Sequence, residues 1–180
     1  MQIRKEVATF RDLDVEINSH CKKVDRHFSL CDFCLVCMFF LTKSQRTVWR
    51  LSVSNSGKWE LVKAVVAREW TIVKIQALFR HCAVLTSDDR IVYYRYDGST
   101  RVVGTKKNFV DIATGPSGYL VALTADNRLY ATGNNTYGQC GQGSTSDRVR
   151  GLSEVKNLPN LRIKQISAGR FHVLIKCSKI

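Results

Sequence analysis

Three stretches of the chain set hydrophobic and polar residues in the same order. His81-Cys-Ala-Val-Leu-Thr86 is followed by Ser-Asp-Asp-Arg90-Ile-Val92, and 38 residues later Tyr119-Leu-Val-Ala-Leu-Thr124 is followed by Ala-Asp-Asn-Arg128-Leu-Tyr130. An earlier copy, Cys37-Met-Phe-Phe-Leu-Thr42 with Lys-Ser-Gln-Arg46-Thr-Val48, precedes the His81 copy by 44 residues, and a fourth opens at His172-Val-Leu-Ile, 53 residues past Tyr119. In each copy an apolar run predicts an inner strand, a polar tetrapeptide turns the chain, and a second apolar run returns as a β-hairpin. Asp126-Asn127 suits such a turn because both side chains tolerate positive φ. Glu60 to Arg68 has enough periodicity for two helical turns, but its β-branched valines suit a strand equally. Phe28 to Leu41, 14 residues interrupted by Asp32, predicts a buried strand pair, since a helix crossing a bilayer needs roughly 20 residues. Lys22, Lys23, Arg26, Lys43 and Arg46 around it leave a shallow membrane-associated segment as the minor alternative.

Self-similarity at spacings of about 40 to 50 residues predicts stacked or radially arranged sheets. Between two of these copies lie Gly133, Gly138, Gly141 and Gly143, four glycines within eleven residues, which implies positive φ or close backbone contact. A phosphate cradle is the sharp alternative. No Gly-Lys-Ser/Thr follows, the spacing is not a dinucleotide fingerprint, and no helical pattern begins after it.

Leu129-Tyr130-x-x-Gly133-x-Asn135-x-x-Gly138-Gln139-x-Gly141-x-Gly143 resembles the signature of regulator-of-chromosome-condensation repeats, and Ile166-Ser167-Ala168-Gly169-x-x-His172 resembles the opening of the next repeat. The resemblance is clear over 109–180 and weaker over 28–108. Thr132 stands where the family usually has tryptophan, Cys140 where leucine is usual, and Tyr119 in place of the recurrent histidine of His81 and His172. The resemblance implies a seven-bladed propeller of four-stranded antiparallel blades, closed so that no sheet edge stays open. Counted that way, the chain is all-β, a partial β-propeller of about three to three and a half blades: roughly 28–70, 71–108, 109–162 and the start of another at 163–180, with 1–27 as an N-terminal segment. Half a ring exposes blade faces and edges, so completion by self-association or by a longer chain is expected.

Charge adds a hint about partners. The formal net charge is +13, and residues 71–180 hold most of the excess, 16 Lys+Arg against 7 Asp+Glu, compared with 12 against 8 in residues 1–70. Such a surface attracts polyanions, nucleic acid included, although the charge is dispersed as singles and pairs in the manner of a solvated face. Seven cysteines form no obvious disulfide framework, and Met1 to Phe10 lacks a signal-peptide core, so a cytoplasmic or nuclear setting is the default expectation. Asn134-Asn135-Thr136 matches a glycosylation sequon and is read as a turn.

Candidate chemistry is sparse. Cys31-x-x-Cys34-x-x-Cys37, with His20, Cys21 and His27 nearby, is the zinc candidate, and an iron–sulfur pattern lacks its further cysteine and proline. If Leu30 to Leu41 is one strand, residues three apart diverge to opposite faces, which favours small buried thiols over a site. His81 and His172 occupy equivalent positions, which favours imidazoles hydrogen-bonded to neighbouring backbone. Trp49, Trp59 and Trp70 beside Arg50, Lys58 and Arg68 are read as core residues ahead of a stacking platform. No catalytic triad or matched carboxylate pair stands out, and no cofactor is expected. Gly133, Asn135, Gly138, Gln139, Gly141, Gly143, Gly169 and His172 are expected to be structural. The function expected is a protein-interaction scaffold, not an enzyme. By resemblance its partner is a small GTPase or chromatin, with nucleotide exchange on a Ran-like GTPase and basic nucleic-acid binding as the alternatives.

Overall fold

The computed structural model describes residues 28–33, 37–42, 46–53, 59–66, 69–78, 81–95 and 97–179. All of its regular structure is β: β1 (Phe28–Phe33), β2 (Cys37–Thr42), β3 (Thr47–Val53), β4 (Trp59–Val66), β5 (Ile72–Leu78), β6 (His81–Thr86), β7 (Arg90–Arg95), β8 (Thr100–Thr105), β9 (Phe109–Gly115), β10 (Tyr119–Thr124), β11 (Leu129–Asn134), β12 (Arg148–Glu154), β13 (Arg162–Ala168) and β14 (Val173–Ser178). These make three four-stranded antiparallel meanders, β1 to β4, β5 to β8 and β9 to β12, and a final hairpin, β13–β14. Among the described residues no helix is long and apolar enough to cross a membrane.

Glu60 to Val66 is part of strand β4, paired with β3. Phe28 to Leu41 is a strand pair, with Cys31 opposite Phe40 and Phe33 opposite Met38. Cys31 and Cys37 therefore stand on different strands, and the alternation argument along a single strand does not apply to them. Cys34 and residues 1–27, including His20, Cys21 and His27, lie outside the described residues.

The first strands of successive sheets, β1, β5, β9 and β13, contact one another in sequence, and outer strand β8 meets outer strand β12. The runs at His81 and Tyr119, expected as inner strands, are instead the second strands of their sheets. The reason lies in the innermost strands, where Lys74, Gln76, Asp111 and Thr114 interrupt the apolar pattern. Lys74 Nζ meets Asp111 Oδ1 at 2.6 Å, and Thr114 Oγ1 donates to the Ala77 carbonyl at 2.7 Å. Both tie the second sheet to the third.

Strands β6 and β10 are paired on both edges and covered on both faces, which explains their uninterrupted apolar runs. Successive side chains of β10 go to opposite layers. Leu120 and Ala122 join Leu78, Leu85, Ile91, Phe109 and Ile112 between the second and third sheets. Tyr119, Val121 and Leu123 join Leu129, Ala131, Cys140 and Ile166 between the third sheet and the final hairpin. A third layer, Val48, Ile72, Ile75, Cys82 and Val84, lies toward the first sheet, with Trp70 and Tyr94 against it. Each such layer removes several large apolar side chains from water, worth about 1.5–3 kcal/mol apiece.

Candidate partner-binding face

The turns between second and third strands repeat one device. Thr86 Oγ1 accepts from Arg90 N–H at 3.0 Å, and Thr124 Oγ1 accepts from Arg128 N–H at 3.1 Å. Asp88 pairs with Arg90, and Asp126 with Arg128; both carboxyls are held below the usual carboxylate range, Asp88 first by Arg90 and Asp126 first by the Thr124 hydroxyl and then by Arg128. Asp89 and Asn127 take φ of 61° and 67°, the left-handed conformation these residues tolerate. They also reach into the next sheet. Asp89 accepts Asn108 N–H and Phe109 N–H at 2.7 and 2.6 Å, and Asn127 accepts Ile163 N–H at 2.7 Å while donating to the Leu161 carbonyl at 2.8 Å.

At the opposite ends of the strands lie the loops after β9, β11 and β13. The glycine-rich loop after β11 is closed on itself. Asn135 is fully buried. Its Oδ1 accepts Cys140 N–H and its Nδ2 donates to the Ser144 carbonyl, at 2.9 and 2.8 Å. Gln139 donates to Asn134 Oδ1 and accepts Tyr137 N–H, both at 2.9 Å. Gly138, Gly141 and Gly143 take φ of 74°, 63° and 69°. The N–H groups of Asn135, Thr136, Gly138 and Gly141 are also donated within the loop or to Asp147, so they are not turned outward as an anion cradle would need. Cys140 is buried beneath, its thiol pushed up to about 11 by burial, far from a reactive thiolate.

Gly169 and His172 form the turn before β14. Gly169 N–H donates to the His172 carbonyl at 2.8 Å, and the imidazole lies over Gly169, where a Cβ would be 2.4 Å from Cε1. Tyr119 occupies the same place one sheet earlier, and its hydroxyl donates toward the carbonyls of Gly169 and His172 at 2.8 and 2.6 Å. The backbone hydrogen bonds expected of the histidines are thus made by the tyrosine that replaces one. His81 instead sets its ring edge against Tyr93, centroids 4.9 Å apart.

Sequence reasoning missed the residues between the motif positions. Tyr137, from the glycine-rich loop, and Phe171, from the following sheet, bring their rings to 4.5 Å, and the Arg170 guanidinium lies 5.0 Å from the Phe171 ring. Ser117 Oγ hydrogen-bonds the Arg170 carbonyl beneath them. Tyr137 is 66% exposed and Phe171 39%. Large aromatics left in water on a loop whose own polar groups are satisfied form a surface suited to a protein partner. Among the described residues no group of three or more His, Cys, Asp or Glu is placed to hold a metal ion.

Radial four-stranded meanders with their first strands innermost define the class: a partial β-propeller. Residues 126–175 and 109–139 each match a model described as the regulator of chromosome condensation (RCC1) repeat, so this part of the chain is similar to repeats of that family. The fold is similar to that of Prp20p from Saccharomyces cerevisiae (TM-score 0.72, 20% identity, 86% of this chain and 42% of that one), a protein described with its binding properties to Gsp1p and histones. It is similar also to yeast RCC1 (Prp20) bound to Kap60 (TM-score 0.71, 18% identity, 86% and 41%) and to human WBSCR16 (TM-score 0.66, 14% identity, 81% and 45%). The chain spans less than half the length of each.

Proposed function

We propose that the chain is a protein-interaction scaffold of the regulator-of-chromosome-condensation repeat type, and that the loops after β9, β11 and β13 present its partner-binding face. The observation that carries this reading is the Tyr137–Phe171–Arg170 cluster. It bridges two sheets and rests on loops whose hydrogen bonds are internal, so little ordering entropy is left for binding to oppose. A small GTPase is the partner class we favour, in keeping with the family resemblance, and a cytoplasmic or nuclear setting fits that partner.

The test is binding of a Ran-type GTPase to the purified chain, read together with release of its bound nucleotide. The scaffold reading expects binding that Tyr137→Ala and Phe171→Ala each weaken about tenfold, with no release at catalytic concentrations of the chain. Binding that both variants leave unchanged would count against this face. Accelerated release would replace the scaffold reading with that of an exchange factor.

We further infer that β14 receives another strand. β6 pairs with β7 and β10 with β11, whereas among the described residues β14 pairs with β13 alone. A second copy of the chain or a further repeat of the same kind would supply that strand by main-chain hydrogen bonding.

A further inference from the structure

A basic cleft lies between the outer strands of the second and third sheets, where β12 leaves the glycine-rich loop. It encloses about 260 Å³ and is lined by Tyr93, Arg101, Thr132, Gly133, Arg148 and Arg150, among others. Its shape follows from the pairing of β12 with β11. Ser153 lies opposite Ala131 and Val149 opposite Gly133, so Arg150, Gly151 and Leu152 together oppose the single residue Thr132. This bulge, with Gly151 at φ 75°, leaves Arg148 and Arg150 flanking a floor of small residues. Arg101 comes from β8, opposite Tyr93 of β7.

The charge of the cleft is uncompensated. None of Arg101, Arg148 and Arg150 forms an ion pair with a described residue. Thr132 Oγ1 is committed to the Val149 carbonyl at 3.2 Å, while the Tyr93 hydroxyl has no hydrogen-bond partner among the described residues. Burial raises the Tyr93 phenol well above its ordinary pKa, so it is a neutral donor throughout the physiological range. The field of Arg148 is felt nearby, where it adds to burial and Arg95 in depressing His81.

We propose that this cleft, built from Arg101, Arg148, Arg150 and Tyr93 between the outer strands of two sheets, binds the phosphate group of a phosphorylated serine or threonine on a partner protein. Guanidinium groups match phosphate oxygens with paired N–H donors, and clusters of arginine are a recurring means of reading phosphorylated segments. The dimensions favour a side chain over a nucleic-acid strand. One compact pocket accepts one phosphate, whereas a strand needs a groove that tracks successive phosphates and exposed rings on which bases stack; here the one aromatic side chain, Tyr93, is set into the wall. Beside the loop face, this gives the chain a second point of attachment that depends on phosphorylation of the partner.

The test uses the full chain and a short fluorescent peptide of glycine and serine carrying one phosphoserine, with the unphosphorylated peptide, inorganic phosphate and a short oligothymidylate as comparators. Anisotropy is expected to show binding of the phosphopeptide at least about tenfold tighter than of its unphosphorylated form, with competition by millimolar inorganic phosphate. Arg148→Gln with Arg150→Gln, both exposed positions, and separately Thr132→Trp, which fills the floor, should each abolish that preference. The double glutamine variant keeps the test informative if the tryptophan disturbs folding, which circular dichroism reports. Equal binding of the two peptides, or a preference that survives the double variant, would overturn the proposal. Tighter binding of the oligothymidylate that falls in the same variant would overturn it in favour of nucleic acid.

Discussion

A Cβ atom added to Gly115 would lie 2.0 Å from Cε1 of Tyr119, the ring that closes the turn between β9 and β10. Nothing can relax cheaply there, because Tyr119 is fully buried and the same Cβ would also lie 2.5 Å from the Gly169 carbonyl oxygen. Gly115→Ala should therefore destabilise the chain by about 1–3 kcal/mol or more, as overpacking at a closed site does. Gly98→Ala is the comparison: its φ is 82° but nothing lies within 4 Å, so only backbone strain of about 1 kcal/mol is expected. Urea unfolding midpoints of the two variants give the ranking, and equal losses would show that the ring contact is unimportant.

The same tyrosine ties the third sheet to the final hairpin through its hydroxyl. Tyr119→Phe keeps the ring but leaves the Gly169 and His172 carbonyls without this donor. The expected loss is about 1–3 kcal/mol, and it should be local. Hydrogen exchange ought to quicken in β13 and β14 and leave β6 and β7 unchanged. Burial pushes the Tyr119 phenol up to about 12, so the bond persists across neutral and moderately alkaline pH.

Asp89 and Asn127 make a matched pair of sheet-to-sheet ties. Asp89→Ala removes the acceptor of Asn108 and Phe109 N–H, and Asn127→Ala removes the partner of Ile163 N–H and the Leu161 carbonyl. Each should cost about 1–3 kcal/mol in a urea titration. A surface turn without such ties would lose within about 0.5 kcal/mol, and losses that small would remove the tie.

How far the sequence revealed this arrangement depended on which residues carried a local signal. The second strands were legible because burial on both faces leaves an unbroken apolar run, as in Leu120 to Leu123. Asp126-Asn127 announced a turn through its tolerance of positive φ. The innermost strands were hidden, since Lys74 and Asp111 reach each other only across two sheets and look like solvated charge when read along the chain. Replacement of a recurrent histidine by Tyr119 was visible, but not that its hydroxyl would bridge 50 residues to Gly169. The Tyr137–Phe171 contact was out of reach for the same reason: both occupy the unspecified positions of the repeat motif, and only the packing of one sheet on the next brings them together.

Acid should weaken the chain through His81. Its pKa is held below the ordinary value by burial first, then by Arg95 and Arg148. The unfolded chain therefore takes up the proton at higher pH than the folded one. Stability is fully present above about pH 6.5 and falls as pH drops from there through the lowered folded value. Asp88, Asp97 and Asp126 act with the same sign, but their carboxyls are held below the usual range and contribute only in stronger acid. The urea midpoint should decline as pH falls below about 6.5, and His81→Gln should flatten that slope. An unchanged slope in the variant would assign it to another group.

Among the described residues one edge of β14 has no neighbouring strand, and this gives the last expectation. In the two preceding sheets the corresponding strand is sealed by a neighbour, and Val121 is 3% exposed; Leu174, at the matching place in β14, is 65% exposed. Unpaired main-chain donors and acceptors along an exposed strand are a template for another strand. Lys176 on the same strand opposes tight association without preventing it, because one charge on an edge weakens pairing more than it forbids it. Light scattering on the purified chain should thus give a mass that rises above the monomer with concentration, and Leu174→Lys, adding a second charge beside Lys176, should restore the monomer. If the unsubstituted chain stays monomeric and compact at every concentration, β14 needs no further strand, and the inferred completion of the ring fails while the loop face and the basic cleft stand on their own tests.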